Sequence, residues 1–222
     1  MSKRPLLLLG VFLVTACVSN NDKPRYQQPE KAAVAKRPSQ DRAKSLTELG
    51  MVYYQLWKYN YAMEHLQRSL TIDAQNALTY QLIALINVRK KLPDQAELFF
   101  TKAMRLAPRN YDVVSDYAVF LYAEQRHTEA KVEFKRIIDA PFYKKKWVAY
   151  SYLGLYDLQD KQKKQAEIKF YRALKINGKY PIALLEMAKI RYRKGNMMSA
   201  RGFIERYFSA AGKTLEGLQL AI

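Results

Sequence analysis

The sequence predicts an all-α superhelix built from one helical-hairpin repeat, and three observations carry that expectation. The first is composition. The chain has 222 residues, 49% of them apolar, with only 8 Gly and 8 Pro and with 17 Tyr spread along it. Such a chain can bury a sizeable core and is poor in helix breakers. The second is a period. Alanines stand at Ala62, Ala96, Ala130, Ala166 and Ala200, with spacings of 34, 34, 36 and 34. The third is the company they keep. Twelve positions before each alanine is a small residue (Gly50, Ala84, Ala118, Gly154, Ala188). A large apolar residue precedes each of these (Leu49, Ile83, Tyr117, Leu153, Met187), and Leu66, Phe100, Phe134, Phe170 or Ile204 follows each alanine by four.

Two antiparallel helices, A and B, account for these residue types. A small residue on helix A and the alanine on helix B let the backbones approach, while the bulky residues fill the space towards the next repeat. One such hairpin cannot bury its apolar face, so stability comes from stacking. The pattern resembles the tetratricopeptide repeat, a helix-turn-helix unit of 34 residues. By register the repeats run 43–76, 77–110, 111–146, 147–180 and 181–214. Pro108 closes the second, while Ala74 and Gly178 stand at the same place in others. The third repeat is two residues longer, and Pro141 puts the extra length near Asp139–Tyr143. A change of superhelical angle is expected there. Residues from Thr214 to Ile222 read as the start of a sixth helix A, with Leu215, Leu218 and Ala221 in register. The array is therefore five repeats plus a partial sixth, and the repeat domain is expected over 43–222.

Ahead of it lies an address. Lys3 and Arg4 precede an apolar run from Leu6 to Val14, broken only by Gly10. The run is shorter than the roughly 20 residues that span a bilayer and fits the apolar region of a secretory signal over 1–16. It ends in Val14-Thr15-Ala16-Cys17, and Cys17 is the single cysteine. This resembles the bacterial lipobox. The resemblance implies cleavage before Cys17, a thioether-linked diacylglycerol and an acylated amino group, which together anchor firmly in membrane lipid. An ordinary signal peptide with a chance cysteine is the other reading. Val18 rather than an aspartate follows, which resembles the enterobacterial rule for outer-membrane sorting. Residues 17–42 carry Pro24, Pro29 and Pro38 among polar residues, with Tyr26 as the only aromatic. They read as a flexible tether that buries too little apolar area to fold; as coil, about 25 residues reach roughly 25–30 Å.

The residues point away from catalysis. There is no phosphate-binding glycine loop, no nucleophile elbow and no recurrent pair of carboxylates. The only histidines, His65 and His127, lie 62 positions apart and read as surface or packing residues. With one cysteine, neither an intramolecular disulfide nor a cysteine zinc site is available. No enzyme, metal, cofactor or small-molecule substrate is expected. The net charge of +18, or +16 (36 against 20) once Lys3 and Arg4 are removed, has two readings. One is attraction to acidic headgroups or an acidic partner. The other is lysine bias and solvated helix ends. Nucleic acid is not an expected partner for an exported chain.

In tetratricopeptide arrays helix A lines the concave face through positions 2, 5, 9, 12 and 13. Here position 9 holds Met51, Leu85, Val119, Leu155 and Lys189, and position 12 holds Tyr54, Val88, Tyr122, Leu158 and Tyr192. Met51, Tyr54, Leu85, Val88, Val119, Tyr122, Leu155 and Leu158 are therefore the expected partner-binding strip. Internal burial by tight curvature is the alternative. The asparagine that carboxylate-clamp repeats place at position 9 is absent from every repeat.

A lipobox, a proline-broken tether and these repeats with an insert after the third resemble the PilW/PilF group of type IV pilus biogenesis lipoproteins, the pilotins of the pilus secretin. The more specific pieces are Ala140-Pro141-Phe142-Tyr143, Leu184-Leu185-Glu186-Met187-Ala188, Glu205-Arg206-Tyr207 and Thr214-Leu215-Glu216-Gly217-Leu218. The resemblance implies an outer-membrane, lipid-anchored protein facing the periplasm. Such a protein helps secretin subunits reach the outer membrane and multimerise. Members of the group have six full repeats, and the sixth here lacks its helix B. Two rivals stay open: a scaffold lipoprotein for peptidoglycan hydrolases and a β-barrel assembly adaptor.

Overall fold

A computed structural model of the chain describes residues 29–220, with side chains from residue 39 onward. All regular structure among the described residues is α-helix, in the order α1 (Pro29–Gln55), α2 (Tyr59–Ile72), α3 (Ala77–Arg89), α4 (Pro93–Leu106), α5 (Tyr111–Ala123), α6 (His127–Asp139), α7 (Trp147–Gln159), α8 (Lys163–Ile176), α9 (Pro181–Arg193), α10 (Met197–Ala211) and α11 (Leu215–Leu220). The described residues from 39 onward form one compact unit, and residues 29–38 fall in a separate one. Odd-numbered helices are the A helices and even-numbered ones the B helices, in the expected register. Cys17 and the signal segment 1–16 lie outside the described residues.

One boundary differs. The tether was expected through residue 42, yet α1 begins at Pro29. Proline is accepted at a helix's first position because its missing N–H has no intrahelical partner there. Glu30 complements the helix dipole, and Ala32, Ala33 and Ala35 are strong helix formers. Polar, proline-marked composition alone reads as coil; the alanines decide otherwise.

The small-residue register is the closest contact in the fold. Ala62, Ala96, Ala130 and Ala166 are wholly buried, as are Leu66, Phe100, Phe134 and Phe170 four residues on. A β-carbon on Gly50 would lie 2.7 Å from Leu66 Cδ2, and one on Gly154 would lie 2.8 Å from Phe170 Cε1. A β-carbon at either place would force those side chains to shift. The longest buried cluster joins the second, third and fourth repeats through Phe100, Phe120, Phe134 and Tyr156.

The first five A helices end in the same way. Trp57, Lys91, Gln125, Lys161 and Gly195 all take positive φ, between 58° and 74°. The next amide reaches back five residues, as in Lys58 N to Tyr53 O (2.9 Å) and Arg126 N to Leu121 O (2.9 Å). This is the Schellman arrangement, yet glycine occupies only the fifth of these sites. Several A helices are capped at their start: the Asn76 and Asn110 side chains accept from Thr79 N (3.2 Å) and Asp112 N (3.1 Å). The first two repeats also share a buried hydroxyl cluster, in which Thr47 Oγ1 lies 2.8 Å from Ser69 Oγ and 2.7 Å from Thr79 Oγ1.

The insert in the third repeat stays on the surface. Ala140 is buried, while Phe142 is 93% exposed. Lys146 donates to Ile138 O (2.7 Å), and Tyr143 and Lys145 donate to Asp112, so the loop is fastened to both α6 and α5. At the far end Gly217 of α11 sits against Tyr207 and Phe208. Lys189 bridges Glu186 and Glu216, each at 2.6 Å.

Candidate interaction surface

The eight strip residues lie on α1, α3, α5 and α7, and every one is half-buried. Met51 and Tyr54 pack on the cluster of Ala62, Leu66 and Ile83. Leu85, Val88, Val119 and Tyr122 pack on the central cluster, and Leu155 and Leu158 on the one around Ala166 and Phe170. Each residue thus has one side in the core and one towards solvent. Together they expose less apolar surface than eight free side chains would. Tyr122 is held most firmly, with its ring 4.8 Å from that of Tyr152 and 5.4 Å from that of Tyr156. Burial pushes its hydroxyl above the ordinary tyrosine range. In the fifth repeat Lys189 is engaged by its two glutamates, so the apolar strip ends there.

A polar pocket of about 550 Å³ opens beside the strip, where the first turns of α3, α5 and α7 meet the insert. Gln81 lies one helical turn before Leu85, and Ser115 one turn before Val119, so pocket and strip are continuous. Asp116 accepts from Gln81 Nε2 (2.6 Å). Asp112 accepts from Tyr143 Oη (2.7 Å) and from Lys145 Nζ (3.0 Å), both supplied by the insert. Burial raises the Asp116 carboxyl above the usual range; the Gln81 hydrogen bond opposes this, and Asp112 adds to it. Sequence reasoning missed this site. Asp112 occupies position 2, where the other repeats carry Lys44, Leu78, Val148 and Ile182; a single acid in an otherwise non-acidic column was the available signal.

His127 packs edge-on to Tyr122 and Tyr156, and His65 stacks on Tyr53 with ring centroids 5.3 Å apart. Among the described residues no group of three or more His, Cys, Asp or Glu side chains could hold a metal, and no helix is long and apolar enough to cross a membrane.

Helical hairpins stacked in register, with small residues at the crossings, define a tetratricopeptide-repeat superhelix. No protein-family model matches the chain. It is 29% identical to the type IV pilus assembly protein PilF of Pseudomonas aeruginosa, over 98% of this chain and 83% of that protein. A solved structure from the functional characterisation of P. aeruginosa PilF superposes with a TM-score of 0.71 at 26% identity, covering 84% of this chain and 82% of that one. The crystal structure of PilW, a type IV pilus biogenesis factor, gives 0.68 at 23% identity, covering 80% and 82%. YrrB, a tetratricopeptide protein with a peptide-binding site, shares the fold with a TM-score of 0.53 at 15% identity, covering 85% and 95%. The chain is homologous to PilF along nearly its whole length, and this similarity supports a tetratricopeptide-repeat protein of the PilW/PilF type with a role in type IV pilus biogenesis.

Proposed function

We propose that the chain is a pilotin: an outer-membrane lipoprotein, anchored through acylated Cys17 and facing the periplasm, that binds pilus secretin subunits and promotes their multimerisation. The observation that carries this is the similarity to PilF along nearly the whole chain. The lipobox residues and the half-exposed apolar strip support it. The role is binding rather than catalysis. Tethering at a membrane raises local concentration, to about millimolar for short flexible linkers, and ring assembly depends steeply on concentration. A secretin monomer held on the strip meets its neighbours at the membrane instead of in the periplasm.

The test is to blot heat- and detergent-resistant secretin multimers in separated membranes from wild-type, deletion and Cys17→Ser strains. The deletion is expected to lose multimers and surface pili while monomer is still made. The Cys17→Ser strain is expected to misplace its rings. Normal multimers in the outer membrane of the deletion strain would reject the pilotin reading in favour of a general envelope scaffold.

A further inference from the structure

We propose that the polar pocket is a socket for one basic side chain of the segment that the concave strip holds. This rests on the strip being the partner surface and adds the chemistry of what it selects. The charge balance points to a cation. Two carboxylates, Asp112 and Asp116, face one ammonium, that of Lys145, and Lys145 is bonded to Asp112. Asp116 is left with a neutral amide, Gln81, as its hydrogen-bond donor. An ionised carboxylate has about four lone-pair sites and is costly to hold in a desolvated place without a cation. The lining thus carries two carboxylates against one ammonium, whose field reaches Asp116 without a hydrogen bond to it, within a chain whose net charge is +18. Its lining suits a long cationic side chain as well. Leu78 and Val148 offer apolar surface for a methylene stem, and the aromatic residues Trp147 and Tyr143 also line the pocket. The insert supplies Tyr143 and Lys145 to the lining, which gives the extra length of the third repeat a task.

The test uses the full chain in detergent and the side-chain amide resonance of Gln81. Two probes are titrated: an acetylated pentapeptide of leucine and alanine with a central arginine, and its twin with citrulline, which keeps the shape and loses the charge. The arginine peptide is expected to shift the Gln81 amide saturably, and the citrulline twin to bind about tenfold more weakly. Asp116→Asn, which keeps size and hydrogen bonding, is expected to erase that difference. Lys145→Met, which removes the competing ammonium, is expected to increase it. Equal binding of the two peptides, no saturable shift, or indifference to Asp116→Asn overturns the socket. The periplasmic part of the pilus secretin is a second probe. If it loses binding to Leu85→Glu/Val88→Glu but not to Asp116→Asn, the strip stands and the socket falls. If it does not bind the wild-type chain at all, the pilotin reading falls, and the peptide pair still decides the socket.

Discussion

At the scale of single residues, two positions are held against their own preference. Lys161 ends α7 with a φ of 60°, a conformation that costs an L-residue about 1–2 kcal/mol. Lys161→Gly removes that cost and returns about 0.5–1 kcal/mol as unfolded-chain entropy. The net effect is a gain of about 0.5–1 kcal/mol. A thermal melt should show a midpoint higher by about 2–4 °C per kcal/mol; a lower midpoint would mean that the lysine is not strained. Asp116 is the second position. Its folded pKa is raised, mainly by burial, so its ionised form weakens the fold at neutral pH. The penalty is fully present above the folded pKa and disappears as pH falls through it towards the unfolded value. Asp116→Asn is therefore expected to raise the melting midpoint at pH 7, with an advantage that shrinks on acidification. A midpoint difference that is flat with pH would show the carboxylate to be fully solvated.

At the scale of elements, the helix crossings set the fold, and Ala130 tests them. It is wholly buried between α5 and α6. Ala130→Trp is expected to cost about 1–3 kcal/mol or more, because two backbones must part. An unchanged melt would mean the register is wrong. These crossings were legible in the sequence because sterics repeat with the period: Gly50 faces Leu66 as Gly154 faces Phe170. The positive-φ turns were not legible, since Trp57, Lys91, Gln125 and Lys161 carry no glycine signal. Nor was the start of α1, where three prolines hid a helix that one of them begins. The strip could be read because its residues recur at positions 9 and 12. The pocket could not, because it draws on α3, α5, α7 and the aperiodic insert at once.

At the scale of the whole molecule, the strip crosses four successive A helices and no single repeat contains it. Leu85→Glu with Val88→Glu places two charges on half-buried positions of one helix. It is expected to weaken secretin binding while circular dichroism remains helical. Unchanged binding with an intact spectrum would move the partner to the convex face or the loops. The insert has one more consequence. The chain absorbs two extra residues between α6 and α7, and Ala130 and Ala166 on either side stay wholly buried. The loop is thus insulated from the frame, with Phe142 at its outer tip and Tyr143 anchored on Asp112. A fluorophore attached through Phe142→Cys, in a Cys17→Ser background, would sit next to the pocket without touching the core. The protein carries a ready-made mounting point for an optical reporter of its own occupancy.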